Sequence, residues 1–320
     1  DLHSLRRRQR QMCIRDSINT STPTIHQDLE TARIIKSLTG STIIVFGEYV
    51  TAKWKEVLKS NPFIDYIALS EPETPILKLL EGEKRIKGIA SKGWYGGLWQ
   101  EPELDRLPFP AYDLLPNYTF PLTGEKWLFL RSGRGCPYDC SFCVIPFLSQ
   151  KKVRLHSSDY MYRQIKWIVN ELGVRVFMLW ESVATINRER MIKLCDLLMS
   201  SGLSEKIKWF CTTRADKVDK ELLIKMKKAG CRIISFGIES GDQQVLDRVR
   251  KNLRIKTIEK TIKNTRSVGI KTIGHFIIGL PGSSVRNELK TIEFSKKLGL
   301  DFAQFYTCLL YTSPSPRDRG

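Results

Sequence analysis

Apolar positions along this chain change period in a repeating order. Short β-branched or aromatic runs alternate with longer stretches whose apolar positions recur every third or fourth place. In the first part the runs are 43–47 (IIVFG) and 65–69 (DYIAL). Helical spacing covers 27–38, with Leu29, Ile34, Ile35 and Leu38, and 52–59, with Trp54, Val57 and Leu58. Residues 71–81 open on Glu and Pro before their apolar positions, as the positive end of a helix dipole favours. Strands alternating with helices in this way predict a parallel sheet covered on both faces.

Between 91 and 126 the periodicity is lost. That stretch holds five of the 14 prolines and four of the 21 glycines, and it reads as an extended linker with aromatic anchors. From 127 the alternation resumes in longer units. Strands are predicted at 127–132, 174–180, 206–211, 231–238, 271–278 and 301–306, with amphipathic segments at 158–172, 188–201, 219–229, 242–268 and 283–298. The expectation is therefore an α/β chain. A partial Rossmann-like domain over 18–90 precedes a linker over 91–126 and a partial (β/α)6, TIM-like barrel over 127–307. In such barrels chemistry sits at the C-terminal ends of the strands.

Composition narrows the choice of function. With 42% hydrophobic and 27% charged residues the chain is not disordered, and no apolar run approaches the roughly 18 residues a membrane helix needs. The formal charge of +18 is uneven: residues 1–17 carry five arginines against two aspartates, and 308–320 add a further +1. Both ends look foreign to the fold, "RRRQRQMCIRDS" and "LLYTSPSPRD" resembling translated sequencing-adaptor sequence, so the chain reads as truncated at both ends. The rest of the charge is spread over lysine-rich helix faces, which reads as solvated surface and not as a nucleic-acid footprint. Eight cysteines are too few for a disulfide scaffold, yet Cys136, Cys140 and Cys143 fall within eight positions. That crowding points to a metal site in a reducing, cytoplasmic compartment.

The three lie in "RSGRGCPYDCSFCVIP", directly after the first barrel strand, with Gly133, Gly135 and Pro137 shaping the loop. Three thiolates suit a four-iron cluster whose fourth iron stays open. A structural zinc site wants a fourth Cys or His, and none follows before His156. The loop resembles the signature of the radical S-adenosylmethionine (SAM) superfamily, including the aromatic Phe142 before the third cysteine. The resemblance implies a [4Fe-4S] cluster on Cys136, Cys140 and Cys143, with SAM chelated to the open iron and cleaved to a 5′-deoxyadenosyl radical. It implies an electron donor of the flavodoxin or ferredoxin type and a small-molecule or peptide substrate.

Polar residues stand where the other strands end. By resemblance, Phe142 lies near adenine, Glu181 takes the SAM amino group, and Arg214 pairs with its carboxylate. Glu239 and Ser240, in "FGIESG", meet the ribose, and Gly279 and Pro281, in "IIGLPGSS", bring backbone toward adenine. Relatives usually carry an acidic pair where Trp180 precedes the single Glu181. His275 reads as a barrel-interior residue, and Cys195, Cys211 and Cys231 as buried thiols apart from one another. Residues 18–126 resemble the cobalamin-binding domain and linker that precede this barrel in a large subfamily, through "INTSTPT", "IIVFGEYVT", "IDYIALSEPETPILKLLE" and "LDRLPFPAYDLLPNY". Only Gly47 stands where that subfamily has a Gly-Gly strand end, and no D-x-H-x-x-G motif is present. Cobalamin-dependent methylation or rearrangement is the implied chemistry. Two alternatives remain open. A tRNA-modifying methylthiotransferase would carry further cysteines in its front domain, and 18–126 has none. The other is a non-catalytic zinc- or cluster-binding interaction module.

Overall fold

A computed structural model describes residues 15–20, 24–114, 119 and 124–308. The chain divides between Pro102 and Glu103 into two compact units. The stretches 1–14 and 309–320, which belong to the ends set apart above, lie outside the described residues. No described helix is long and apolar enough to cross a membrane.

In the first unit β1 (Arg15–Thr20), β2 (Thr42–Gly47) and β3 (Tyr66–Ala68) pair in parallel. β4 (Ile89–Ser91) and β5 (Trp94–Tyr95) extend the sheet antiparallel. Helices α1 (Ile25–Thr39), α2 (Glu48–Ala52), α3 (Trp54–Ser60) and α4 (Glu73–Leu80) connect them. Ile43 and Val45 pack with Ile25, Ala32, Val57 and Leu58, whereas Ile44 packs on the opposite side with Leu79 and Ile89. A strand buried on both faces reads as one continuous apolar run, which is why 43–47 shows no alternation.

Three details differ from the sequence expectation. β1 starts at Arg15, inside the stretch set apart as foreign, because ladder pairing with β2 draws on main-chain groups of any residue. β5 and the last residue of β4 fall inside 91–126, where composition suggested an irregular linker; Gly93, at φ 87°, turns the chain between the two strands. The segment 52–59 lies in two helices, α2 and α3, interrupted at Lys53.

The second unit carries β6 (Trp127–Arg131), then a two-residue ladder of β7 (Gly133–Arg134) and β8 (Arg154–Leu155). Strands β9 (Val176–Trp180), β10 (Lys208–Thr213), β11 (Cys231–Glu239), β12 (Lys271–Ile278) and β13 (Phe302–Thr307) follow. The main sheet is parallel throughout in the order β13-β12-β11-β10-β9-β6, so each new strand adds beside the last. Among the described residues β6 and β13 end this sheet without pairing to each other. Its helices are α5 (Ile145–Ser149), α6 (Ser158–Glu171), α7 (Arg188–Ser200), α8 (Lys220–Lys228), α9 (Gln243–Arg248), α10 (Ile255–Ser267) and α11 (Val285–Lys297). Ser157, Asn187, Asp219, Asp242 and Ser284 start α6, α7, α8, α9 and α11 by accepting first-turn amides, which fixes where strands end and helices begin.

Alternate strand residues Leu128, Leu130, Phe177, Leu179, Trp209, Phe236 and Phe276 turn to the helices. There they pack with Ile165, Leu194, Leu223, Ile258 and Phe294. The intervening residues form the other, inner face. Cys195, Cys211 and Cys231 join the helix-side core. They are not apart: side-by-side strands bring Cys211 and Cys231 within hydrogen-bonding influence, and burial pushes the Cys231 thiol far up. Trp209 is fully buried and its indole N–H donates to the Ala229 carbonyl at 2.8 Å. Trp209→Ala is expected to destabilise this unit by about 3–5 kcal/mol, read as lost protection of β9–β11 amides in hydrogen exchange.

Candidate active site

The cysteine loop leaves β6 at Ser132 and returns through β8 to His156. Three bonds close its base. The His156 amide donates to the Ser132 carbonyl at 3.0 Å. Arg190, from the first turn of α7, donates from Nη2 to the Ser132 carbonyl at 2.7 Å and from Nε to the His156 carbonyl at 2.6 Å. Its third donor, Nη1, reaches Oε1 of Glu181 at 3.2 Å. Within the loop Gly135 has φ 87°, and a Cβ there would stand 1.9 Å from the Lys152 carbonyl oxygen, so a side chain would force the loop open.

Cys136, Cys140 and Cys143 are half-buried and free of disulfides. Burial pushes the Cys140 thiol up and the Cys143 thiol to about 11, and each is opposed further by its neighbouring thiolates on the loop. Lys251 and Arg214 pull Cys140 the other way. The loop therefore gathers three thiols into one electrostatic neighbourhood beside two cations. Among the described residues no three His, Cys, Asp or Glu side chains are drawn close enough to hold a metal ion. The donor set suits a metal centre with three thiolates from the loop. The His156 ring contacts Asp105 through Nδ1 at 3.1 Å and stacks on Tyr160 at 4.0 Å.

Glu181, one residue past β9, is buried. Its Oε1 accepts from Ser132 Oγ at 2.7 Å and from Arg190, while Oε2 has no hydrogen-bond partner among the described residues. Desolvation raises its pKa against both partners. A Cβ on Gly133 would lie 2.5 Å from that oxygen, so the glycine leaves the carboxylate room. An unsatisfied buried acceptor beside the cysteine loop is a ready receptor for a cationic donor.

A bulge between Gly237 and Glu239 re-aims the end of β11, and Glu239 takes φ 71°. Its Oε1 accepts from Lys251 Nζ at 2.7 Å, both side chains being nearly buried. Arg214 is held by Asp216, at 2.9 and 3.2 Å, and by the Lys251 and Asn252 carbonyls at 3.0 and 3.2 Å. Its guanidinium also lies 3.7 Å over the Tyr138 ring. Ser240 turns inward to Thr291 Oγ1 at 3.1 Å and accepts from the Asp242 amide. Phe142 packs against Val245, Val249 and Leu280, which brings the cysteine loop to the Gly279–Gly282 turn. Gly279 donates its N–H to Glu288 Oε1 at 3.0 Å, and the turn closes through the Ser283 amide on the Leu280 carbonyl. Pro281 lies on that turn, and the helix after it starts at Val285 with Ser284 as its cap. His275 is drawn down by burial, and its Nδ1 has no partner among the described residues.

Sequence reasoning missed Arg190, Lys251 and Tyr138. Arg190 had a signal: an arginine in the first turn of a helix sits badly with the dipole unless it has another task. Lys251 had none, being one cation of many in "RVRKNLRIK".

Residues 130–295 match the Radical SAM superfamily. The chain belongs to that superfamily. This radical SAM chain is 27% identical over 300 residues to an uncharacterized methyltransferase of Pyrococcus horikoshii, across 90% of its own length and 65% of that protein's. It is 29% identical over 304 residues to the anaerobic magnesium-protoporphyrin IX monomethyl ester cyclase of Cereibacter sphaeroides, across 88% and 48%. It thus spans about half to two thirds of these relatives. Its fold is similar to that of the radical SAM methyltransferase TsrM from Kitasatospora setae, solved with cobalamin and a [4Fe-4S] cluster bound. The TM-score is 0.75 at 14% identity, over 92% of this chain and 64% of that one.

The base of the radical SAM loop carries its own acid sensitivity. Burial drives the His156 pKa to about 4, overriding the Asp105 contact that pulls the other way. As pH falls below the ordinary value near 6.5, the unfolded chain takes up a proton that the folded site refuses until about pH 4. Stability should then fall across that window by about 3 kcal/mol and be flat in this group above it. Denaturant titrations between pH 7 and pH 4 check this, with His156→Gln expected to flatten the slope.

Proposed function

We propose that this radical SAM chain binds a [4Fe-4S] cluster through Cys136, Cys140 and Cys143 and cleaves SAM reductively. The single observation that carries the reading is the free Cys-x3-Cys-x2-Cys loop whose base carries the buried, unsatisfied Oε2 of Glu181 at the C-terminal ends of a parallel half-barrel. Bound there, the cluster and SAM supply the electron and the sulfonium from which a 5′-deoxyadenosyl radical arises. Glu181 holds the SAM ammonium through its unoccupied oxygen, because Arg190 and Ser132 fix the other oxygen and leave only one to offer. Phe142 and the Gly279–Gly282 turn form the adenine side, and Glu239 stands at the ribose. The inner sheet face, with Phe129, Met178, Trp180 and Phe210 among its residues, gives a small-molecule or peptide substrate an apolar wall that excludes water. A flavodoxin- or ferredoxin-type protein is the electron donor.

The finer reading is cobalamin-dependent methylation or rearrangement, with residues 18–90 as part of a cobalamin-binding domain. It is supported by the methyltransferase among the relatives and by the fold likeness to TsrM. Anaerobic reconstitution with iron and sulfide should give an iron-sulfur chromophore, and dithionite with SAM should release 5′-deoxyadenosine. Alanine at any of the three cysteines should abolish both. A protein that takes up four irons and binds SAM yet releases no 5′-deoxyadenosine sinks the reading. Glu181→Gln should weaken SAM binding about tenfold or more in equilibrium dialysis while leaving iron content unchanged. Corrin absorbance after incubation with hydroxocobalamin and gel filtration tests the front domain.

A further inference from the structure

The amphipathic segment 242–268 is broken between α9 and α10, although 249–254 holds neither Pro nor Gly. Two non-glycine residues there, Arg250 and Asn252, adopt left-handed φ values of 56° and 49°, which is uncommon for the arginine. Such conformations persist only where surrounding contacts hold them. Locally the Arg250 and Lys251 amides donate back to the Asp247 and Leu246 carbonyls, capping α9; the remaining contacts point at the cysteine loop. The Val249 carbonyl accepts from the Ser141 amide at 3.0 Å, and Arg250 pairs with Asp139 at 3.2 Å. Arg214, over the Tyr138 ring, donates to the carbonyls of Lys251 and Asn252. Val249 shares an apolar cluster with Phe142. Tyr138, Asp139, Ser141 and Phe142 are thus all engaged, and they flank Cys140 on both sides.

We infer that the turn Val249–Asn252 is a clamp that positions the cysteine loop, and that Lys251 is the positioning residue that locks it. The Lys251 backbone carries the Arg214 bond, while its side chain crosses to Glu239 at the end of β11. One residue therefore ties the turn both to the loop's partner and to the sheet. With the ammonium removed, the turn loses its sheet anchor and the loop loses its outer support. The bearing of this clamp on a cluster rests on the function proposed above; the clamping of the loop does not.

The test uses the full chain without iron and measures N-ethylmaleimide alkylation at each cysteine by mass spectrometry. Lys251→Met should speed modification of the loop cysteines, read at Cys136 about tenfold or more, because the loop opens locally; at Cys140 and Cys143 loss of the Lys251 charge works against the gain. Cys195, Cys211 and Cys231, in the helix-side core, should stay as protected as in the wild type. Lys251→Arg should restore the slow rates. Lys251→Met paired with Glu239→Gln leaves no lone buried charge and should reproduce the loop-selective pattern. Unchanged loop rates in both variants overturn the clamp. Equal acceleration of all six cysteines in both variants also overturns it and makes Lys251 a general fold residue. No cluster or SAM enters this measurement, so its failure is separate from failure of the proposed function.

Discussion

One guanidinium at the base of the cysteine loop holds the site together. Arg190 donates to the carbonyls of Ser132 and His156, residues 24 positions apart, and to the carboxylate of Glu181. Closing a loop of this length costs entropy, which the bonds of Arg190 at its base help to offset. The planar fork of arginine answers three acceptors at once, which an ammonium on a flexible stem does less well. Because the same fork orients Glu181, loop base and carboxylate are placed as one unit. Any movement of α7 relative to β6 would shift both together.

The two buried carboxylates at the strand ends have been given opposite fates by their partners. Glu239 meets a buried lysine head-on, and removing one member of such a pair costs about 3–5 kcal/mol because the other is left buried and charged. Glu181 meets its arginine through one oxygen only and keeps the second unsatisfied, at a desolvation cost visible in its raised pKa. A protein tolerates such a cost where a ligand repays it. The difference separates an anchoring charge from a receiving one, and neither sequence position nor residue type distinguishes them.

Much of the architecture was legible because it rests on period and spacing. The six barrel strands fall within a few residues of where apolar runs placed them, and the capping residues Ser157, Asn187, Asp219 and Asp242 mark the helix starts as local chemistry demands. The cysteine loop was legible because three thiols at short spacing have few other uses. What escaped depends on contacts between distant segments. The break at 249–254 carries no Pro or Gly, so the amphipathic pattern ran straight through it as one helix. Ser240 looked like a ligand group from its motif, yet its hydroxyl faces Thr291, fifty-one residues away, and caps a turn. Arg214 matched its expected place after β10, but the direction of its donors was set by Asp216 and the 251–252 carbonyls.

Trp180 shows how a departure from pattern changes the environment. The inner sheet face sets Phe129 4.7 Å from Trp180 and Trp127 4.6 Å from Phe129, with Arg131 5.4 Å from the Trp180 ring. The indole joins Phe129 and Arg131 on the inner sheet face and is half exposed. Glu181, one residue on, is buried instead against Ser132, Arg190 and Gly133. Adjacent positions thus serve different surroundings: Trp180 builds the inner sheet face, while the burial and the single free oxygen of Glu181 come from the loop base and α7.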